Sequence, residues 1–208
     1  IPPLRLMHAG ERDDAVFTIL EANVRISEQV LGDLYAQMSA NEMLGRRLVE
    51  LIDSTRLDFN EFGQDIQKRS EQAMAAAIAD IPEGTYTHRV TVDGFGDPVV
   101  VNCTMKIADG KIMVDYAGSS DQMDRAINVV PTYTHAYTCY ALKCILSPSV
   151  PNNDGSFKAI HVCAPEGSIL NPRFPAPVGA RAMTGPLLPP AVMGALSKVM
   201  PDRVQAAP

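Results

Sequence analysis

The first part of the chain carries apolar residues at the three- and four-residue spacing of α-helices. This spacing predicts one helix from Ser27 to about Asp53, with Ser27 as its N-cap. A second helix is predicted from about Asn60 to Asp80, because apolar residues again share one side and Pro82 and Gly84 follow. Residues 1–82 are therefore expected to form a helical segment.

The pattern changes at Gly84 to an alternation of apolar and polar residues, which is typical of strands. Strands are predicted at Thr85–Val92, Val99–Ala108 and Lys111–Ala117. The pair Asp109-Gly110 between the last two is a strong signal for a tight hairpin. We therefore expect an antiparallel sheet with a hairpin.

The remaining chain mixes helix, strand and loop. From about Asn128 to Leu146 apolar residues occupy nearly the whole helix circumference, which predicts a buried helix. A short strand is predicted at Phe157–Cys163, a proline-rich loop at 165–177 and a last helix from about Leu187 to Met200. The expected fold class is α+β, with residues 83–208 forming an α+β segment after the long N-terminal helices.

Composition and charge narrow the range of functions. The 208 residues include 18 Lys+Arg and 24 Asp+Glu, a net charge of −6, which disfavours nucleic acid as a partner. The apolar stretches are shorter than the roughly 18–20 residues of a membrane span. The start has no secretory signal pattern, and it reads Ile-Pro-Pro without an initiating Met. We expect either part of a longer protein or a processed chain, located in the cytoplasm and without a membrane span.

The cysteines do not follow a metal-binding spacing. None of the four is part of a C-x-x-C motif, whereas zinc sites use ligands two to four residues apart. The pattern predicts buried, reduced cysteines in a cytosolic protein. The four are Cys103, Cys139, Cys144 and Cys163.

Familiar catalytic motifs are absent from the sequence. It contains no P-loop, no H-E-x-x-H and no G-x-S-x-G. His8 lies near three acidic residues, so this region forms either a metal cluster or, as we expect, a solvated acidic turn. No metal site is therefore predicted, and no residue is assigned a catalytic role.

The other histidines are candidates for buried, singly hydrogen-bonded side chains. His88 and His161 lie on predicted strands, and His135 lies on the predicted buried helix between Tyr133 and Tyr137. A buried imidazole in such a polar, aromatic surrounding can also transfer protons. His135 is therefore retained as a candidate binding residue.

Polar side chains gather in the long loops near the end of the chain. Such loops often line binding clefts, and Arg181, flanked by Gly179 and Gly185, could hold a carboxylate or phosphate through its planar guanidinium. The alternative is that the asparagines cap turns and that Arg181 pairs with an acid. The residues concerned are Asn152, Asn153, Asn171, Arg173 and Arg181.

Several short segments, spread in order over the whole chain, resemble one known family. The resemblance is carried by Asn23-Val24-Arg25, Gly32-Asp33-Leu34, Ala36-Gln37, Gly45-Arg46-Arg47-Leu48, Tyr116-Ala117-Gly118-Ser119-Ser120, Ile127-Asn128, Ala164–Arg173 and Met200-Pro201-Asp202-Arg203. On these segments the chain resembles an internal part of the hydantoinase B/oxoprolinase family.

The resemblance implies one of two partner polypeptides of an ATP-dependent enzyme. ATP with Mg is implied on a HyuA-like, ATP-binding partner subunit with an actin-like fold, so a hetero-oligomer is expected. The family is also associated with a divalent metal, whose His- and Asp-bearing motifs have no counterpart here. If this segment contacts a small-molecule substrate, the candidate residues are Asn128, His135, Asn171 and Arg181.

Three functions remain open at this point, the first two implied by the resemblance and the third allowed by the acidic but apolar-rich composition. The first is a segment of a cyclic amide hydrolase of the hydantoinase or 5-oxoprolinase type. The second is a subunit of an ATP-dependent ketone carboxylase, which is a ligase. The third is a non-catalytic scaffold that docks onto a larger partner.

Overall fold

A computed structural model of the chain describes residues 28–55 and 58–204. The chain divides into two compact units, Ile1–Phe59 and Asn60–Pro208, and each is described by itself. In the first unit, helix α1 spans Glu28–Thr55 and confirms the first predicted helix. Several of its large apolar side chains are exposed, namely Met43, Leu44, Leu48, Val49, Leu51 and Ile52.

Helix α2 spans Phe59–Ala79 and confirms the second predicted helix. Its buried residues, Ser70, Met74 and Ile78, recur every four positions and so lie on one side. The same helix is fastened to the region after residue 150, because Asn153 Nδ2 donates to Ser70 Oγ at 2.9 Å. α2 therefore packs as part of the α+β unit.

Four strands form one mixed sheet in the order β1-β2-β3-β4. They are β1 Gly84–Val92, β2 Val99–Ala108, β3 Lys111–Asp115 and β4 Ile160–Cys163. The first three pair antiparallel, as predicted, whereas β4 pairs parallel to β3. The predicted hairpin is present, because Asp109 and Gly110 both have positive φ, of 52° and 66°.

The sheet has one buried face and one face toward solvent. Alternate residues of β2 point into the core and are buried, which follows from the two-residue period of a strand. The short helix α5, Leu188–Leu196, covers this face against β1 and β2. It packs closely, because a Cβ added at Gly194 would lie 2.1 Å from Cδ2 of the half-buried His88.

Helix α3 spans Pro131–Leu146, and the prediction that it is buried all round was wrong. Its buried side includes Thr134 and Thr138, whose hydroxyls donate to Leu170 O and Thr134 O, each at 2.8 Å. Two threonines can be buried because the backbone satisfies them. The opposite side, which the apolar pattern also assigned to the core, is exposed at Thr132, His135, Ala136, Tyr140 and Cys144.

The predicted strand at Phe157–Cys163 is shorter than expected. A single helical turn, α4, occupies Asp154–Phe157, and its N-cap Asn153 accepts a hydrogen bond from Ser156 N at 3.3 Å. The strand itself begins at Ile160. Local capping by asparagine therefore replaces the first part of the predicted strand.

The predictions for histidine and cysteine burial were partly wrong. His135 and His161 are exposed, and so are the free thiols of Cys144 and Cys163. Cys103 and Cys139 are buried as predicted. His161 and Cys163 are exposed because they lie on the solvent-facing side of β4, which residue type alone does not specify.

Burial raises the pKa of Cys103 to about 12, against 9.0 for a free thiol. The unfolded chain therefore loses this proton first, so the free energy of unfolding is expected to fall as pH rises from 9 to 12. Each such thiol contributes a slope of about 1.4 kcal/mol per pH unit. Cys103→Ala should make the decline shallower in alkaline unfolding titrations. Equal slopes for the variant and the wild type would contradict this.

Candidate functional site

The loop that leads into α3 is tied down by Asn128, three residues before the first turn of the helix. The buried Asn128 side chain accepts from Met123 N at 2.9 Å and donates to Met123 O and Pro177 O at 2.7 and 2.9 Å. Its amide hydrogens are thus engaged by the main chain of two loops. Asn128 positions these loops, and any contact with substrate stays a prediction.

An aromatic pair lies on α3 one turn apart. The rings of Tyr133 and Tyr137 stack, with centroids 4.4 Å apart and an interplanar angle of 13°. The guanidinium carbon of Arg181 lies 5.8 Å from the centroid of Tyr133, within cation–π distance. Tyr133 and Arg181 line a cavity of about 340 Å³, together with Val178 and Ala136.

Electrostatics favour a protonated hydroxyl on Tyr133. A hydrogen bond with Tyr137 raises the pKa of Tyr133, burial raises it further, and the positive charge of Arg181 opposes this with a smaller effect. The hydroxyl therefore keeps its proton at neutral pH, in the hydrogen bond with Tyr137. Arg181 and Tyr133 together place a charged donor and a neutral phenol at one cavity.

The structure also places Arg181 without an acidic partner in the described ranges 28–55 and 58–204. Its Nη1 donates only to Val178 O, at 3.3 Å, and the side chain is exposed. Arg173, by contrast, lies 3.4 Å from Glu166. Of the two arginines singled out in the sequence, Arg181 is the one whose charge is not paired with an acidic side chain of the described residues.

His135 borders a second cavity, of about 430 Å³, on the same exposed side of α3. Ala136 lines both cavities, so they adjoin each other. The ring nitrogens of His135 lie 3.6 and 3.7 Å from Cys139 Sγ. Burial raises the pKa of Cys139 to about 12, so this sulfur is a thiol at neutral pH and a poor nucleophile.

Asn171 lies on another side of α3, beside a cavity of about 230 Å³ that Pro131 and Thr134 also line. Its Nδ2 donates to Ala164 O at 2.9 Å, and its main-chain O accepts from Gly167 N at 2.8 Å. These bonds close the loop on itself. Asn171 therefore shapes the loop, and its predicted contact with substrate is untested.

The four predicted residues thus surround the first turns of α3 but do not face one cavity. Two features were not predicted from the sequence: Lys143 lines the cavity of His135, and Gly185 leaves packing space for the ring of Tyr133. A signal for Lys143 existed, because it is the one charged residue between Pro131 and Leu146. The need for glycine at position 185 could not be predicted, because it arises from contact with Tyr133, more than 50 positions away in the sequence.

A metal site is not among the features of the described chain. Residues 28–55 and 58–204 contain no group of three His, Cys, Asp or Glu side chains that could hold a metal ion. His8 and its acidic neighbours lie outside the described residues. In the same ranges, none of the helices has the length and apolar character that crossing a membrane requires.

Gly185→Ala is expected to disturb the Arg181 cavity and to lower stability. A Cβ at this position would lie 2.3 Å from Cε1 of Tyr133, so the ring must shift. Such overpacking costs about 1–3 kcal/mol. Chemical denaturation should show this loss, and a matched substitution, Gly179→Ala, should not, because its Cβ would meet Ala126 at an ordinary 4.0 Å. Equal effects of both substitutions would contradict the close packing.

The chain is similar in sequence and in structure to several known proteins. The chain is 32% identical, over 98% of its length, to one subunit of a putative D-/L-hydantoinase from Pseudomonas sp. (strain NS671). It matches the crystal structure of the ATP-dependent caprolactamase from Pseudomonas jessenii with a TM-score of 0.87 and 26% identity, covering 100% of this chain and 37% of that one. A nucleotide-free acetone carboxylase structure shares the fold over 64% of this chain and 20% of its own, with a TM-score of 0.55 and 21% identity.

The chain spans about 37% of the length of the hydantoinase polypeptide it matches. A family model described as Hydantoinase B/oxoprolinase matches residues 1–208, which is the whole sequence. The short segments that resemble this family in the sequence are likewise spread over the whole chain. The chain belongs to the Hydantoinase B/oxoprolinase family.

Proposed function

We propose that this chain is a segment of a subunit of an ATP-dependent enzyme that hydrolyses cyclic amides. The observation that carries the proposal is the match of the entire chain to the caprolactamase structure, with a TM-score of 0.87. The 32% identity to a polypeptide of a putative hydantoinase supports the same class of substrate. The predicted segments 1–82 and 83–208 would then be parts of one larger subunit.

The chemistry explains what the exposed side of α3 can contribute. A cyclic amide is stabilised by resonance, and attack at its carbonyl carbon develops negative charge on oxygen. Preorganised donors stabilise such charge. Arg181 and Tyr133 lie at one cavity, and the Arg181 guanidinium is the donor that we propose for this role.

ATP with Mg would be bound by a HyuA-like partner subunit and would supply the phosphoryl group that activates the amide. This makes the protein a hetero-oligomer, consistent with relatives that are each named as one subunit of a hydantoinase or a caprolactamase. The described residues do not fit a divalent metal, so no step is assigned to one on this segment. A cytoplasmic location is proposed, since ATP is available there and all four cysteines are free thiols.

Substrate-dependent ATP hydrolysis tests this proposal. The full protein, purified with its ATP-binding partner, should hydrolyse ATP faster with hydantoin, caprolactam or 5-oxoproline, and bicarbonate should not be required. Incorporation of labelled bicarbonate into a keto acid would instead identify a ketone carboxylase. A stable complex that shows neither activity over this set of substrates would identify a scaffold. Either of these two results would overturn the hydrolase proposal.

A further inference from the structure

Lys143 is a buried cation in the C-terminal half of α3. Its exposed fraction is 6%, and its Nζ donates to Ser147 O and Val150 O, just beyond the end of the helix. An ammonium group has three hydrogens, so one remains without an acceptor among the described residues. A buried lysine normally needs a more complete set of partners.

The positive charge of Lys143 is not neutralised by the described part of the chain. No Asp or Glu there lies within ion-pair distance of it, and burial lowers the pKa of Lys143. The C-terminus of α3 offers about half a unit of negative charge against the full unit on the ammonium. A net positive charge is therefore left near the helix end.

A cavity that Lys143 helps to line has the size of a ligand site. Its volume is about 430 Å³, within the range of about 300–1,000 Å³ that is common for small-molecule pockets. Lys143 lines it together with the apolar or aromatic side chains of Tyr140, Pro148 and Phe157 and the amide of Asn152. A ligand with an anionic group and an apolar part could therefore contact Lys143 with the first and the aromatic side chains with the second.

We propose that this cavity binds the carboxylate of a small organic acid, with Lys143 as the anchor and with Tyr140 and Phe157 against the apolar part of the ligand. The ligand carboxylate supplies the negative charge that the described chain lacks. Asn152 can add a neutral hydrogen bond from its amide. The proposal does not require cyclic amide hydrolysis, because it concerns binding at the cavity next to that of Arg181.

Calorimetric titration of the full protein tests the charge requirement. Hexanoate should bind at least about tenfold more tightly than hexanamide, which has the same size without the charge, because charge-assisted hydrogen bonds are the strong ones. Lys143→Met should abolish this preference, whereas Lys198→Met, at an exposed lysine outside the cavity, should preserve it. Equal binding of acid and amide, or binding of inorganic phosphate alone, would overturn the proposal.

Thiol labelling of the wild-type protein tests the location and does not depend on the folding of a variant. Cys144 is exposed and lines the cavity, whereas the exposed Cys163 lies on β4 outside it. Saturating hexanoate should slow the reaction of Cys144 with a disulfide reagent and leave Cys163 unaffected. Identification of the modified peptides by mass spectrometry separates the two sites. An unchanged rate at Cys144 in the presence of bound hexanoate would place the site elsewhere.

Discussion

Arg181→Ala is expected to lower substrate turnover by about 10- to 100-fold, because a hydrogen bond to a charged group contributes about 1.5–3 kcal/mol. The guanidinium is exposed at the cavity beside Tyr133 and has no acidic partner in the described ranges. Its loss should remove a charged donor without removing core packing. Turnover and complex assembly should be measured on the same preparation, with light scattering for the assembly.

Two further variants make this result specific. Arg173→Ala removes an exposed arginine that pairs with Glu166, so turnover should stay near that of the wild type. Arg181→Lys keeps the charge but loses the planar fork and the stacking on Tyr133, so it should restore turnover only in part. Unchanged turnover in Arg181→Ala with intact assembly would remove Arg181 from the proposed site.

Gly155→Ala is expected to lower the free energy of unfolding more than the other substitutions, by about 3 kcal/mol. This is the upper end of the usual cost of adding atoms to a well-packed core. A Cβ at this buried position would lie 2.0 Å from the main-chain O of Gln67 and 2.6 Å from its carbonyl carbon. Backbone atoms of a helix cannot rotate away, so α2 must separate from the turn at α4. Thermal unfolding should shift down by about 6–12 °C.

Gly63→Ala is the matched control on the same helix. An added Cβ there meets no atom within 4 Å in the described chain, and alanine is favoured over glycine in a helix by about 1 kcal/mol. We therefore expect Gly63→Ala to be neutral or slightly stabilising. A Gly155→Ala protein as stable as the control would show that α2 and α4 are not packed as closely as the structure has them.

The fold was predictable where neighbouring residues decide the conformation. The helices α1 and α2 and the strands β1 and β2 were predicted to within about two residues, since the spacing of apolar positions determines them. The Asp109-Gly110 hairpin was predicted because few residue pairs adopt two positive φ angles. The parallel pairing of β4 with β3 was not, because it joins segments about 50 residues apart.

The candidate site was predictable only as a set of residues. Arg181 and His135 were among the predicted residues, and the structure places them at two adjoining cavities on α3. Helix α3 was predicted to be buried, because tyrosine, alanine and cysteine count as apolar in a helical pattern. The structure leaves one side of this helix exposed, since α5 and β4 pack against the other side.

The sequence by itself determined the secondary structure of most segments, the family and the residues that carry charge near the site. Periodicity, turn pairs and short motifs are local, so they can be recognised before the chain is folded. Only the tertiary structure decided which side of α3 remains open, which arginine pairs with an acidic side chain and that Lys143 is buried beside a cavity. These properties depend on contacts between residues far apart in the sequence, and no local pattern specifies which distant element will pack against a given side.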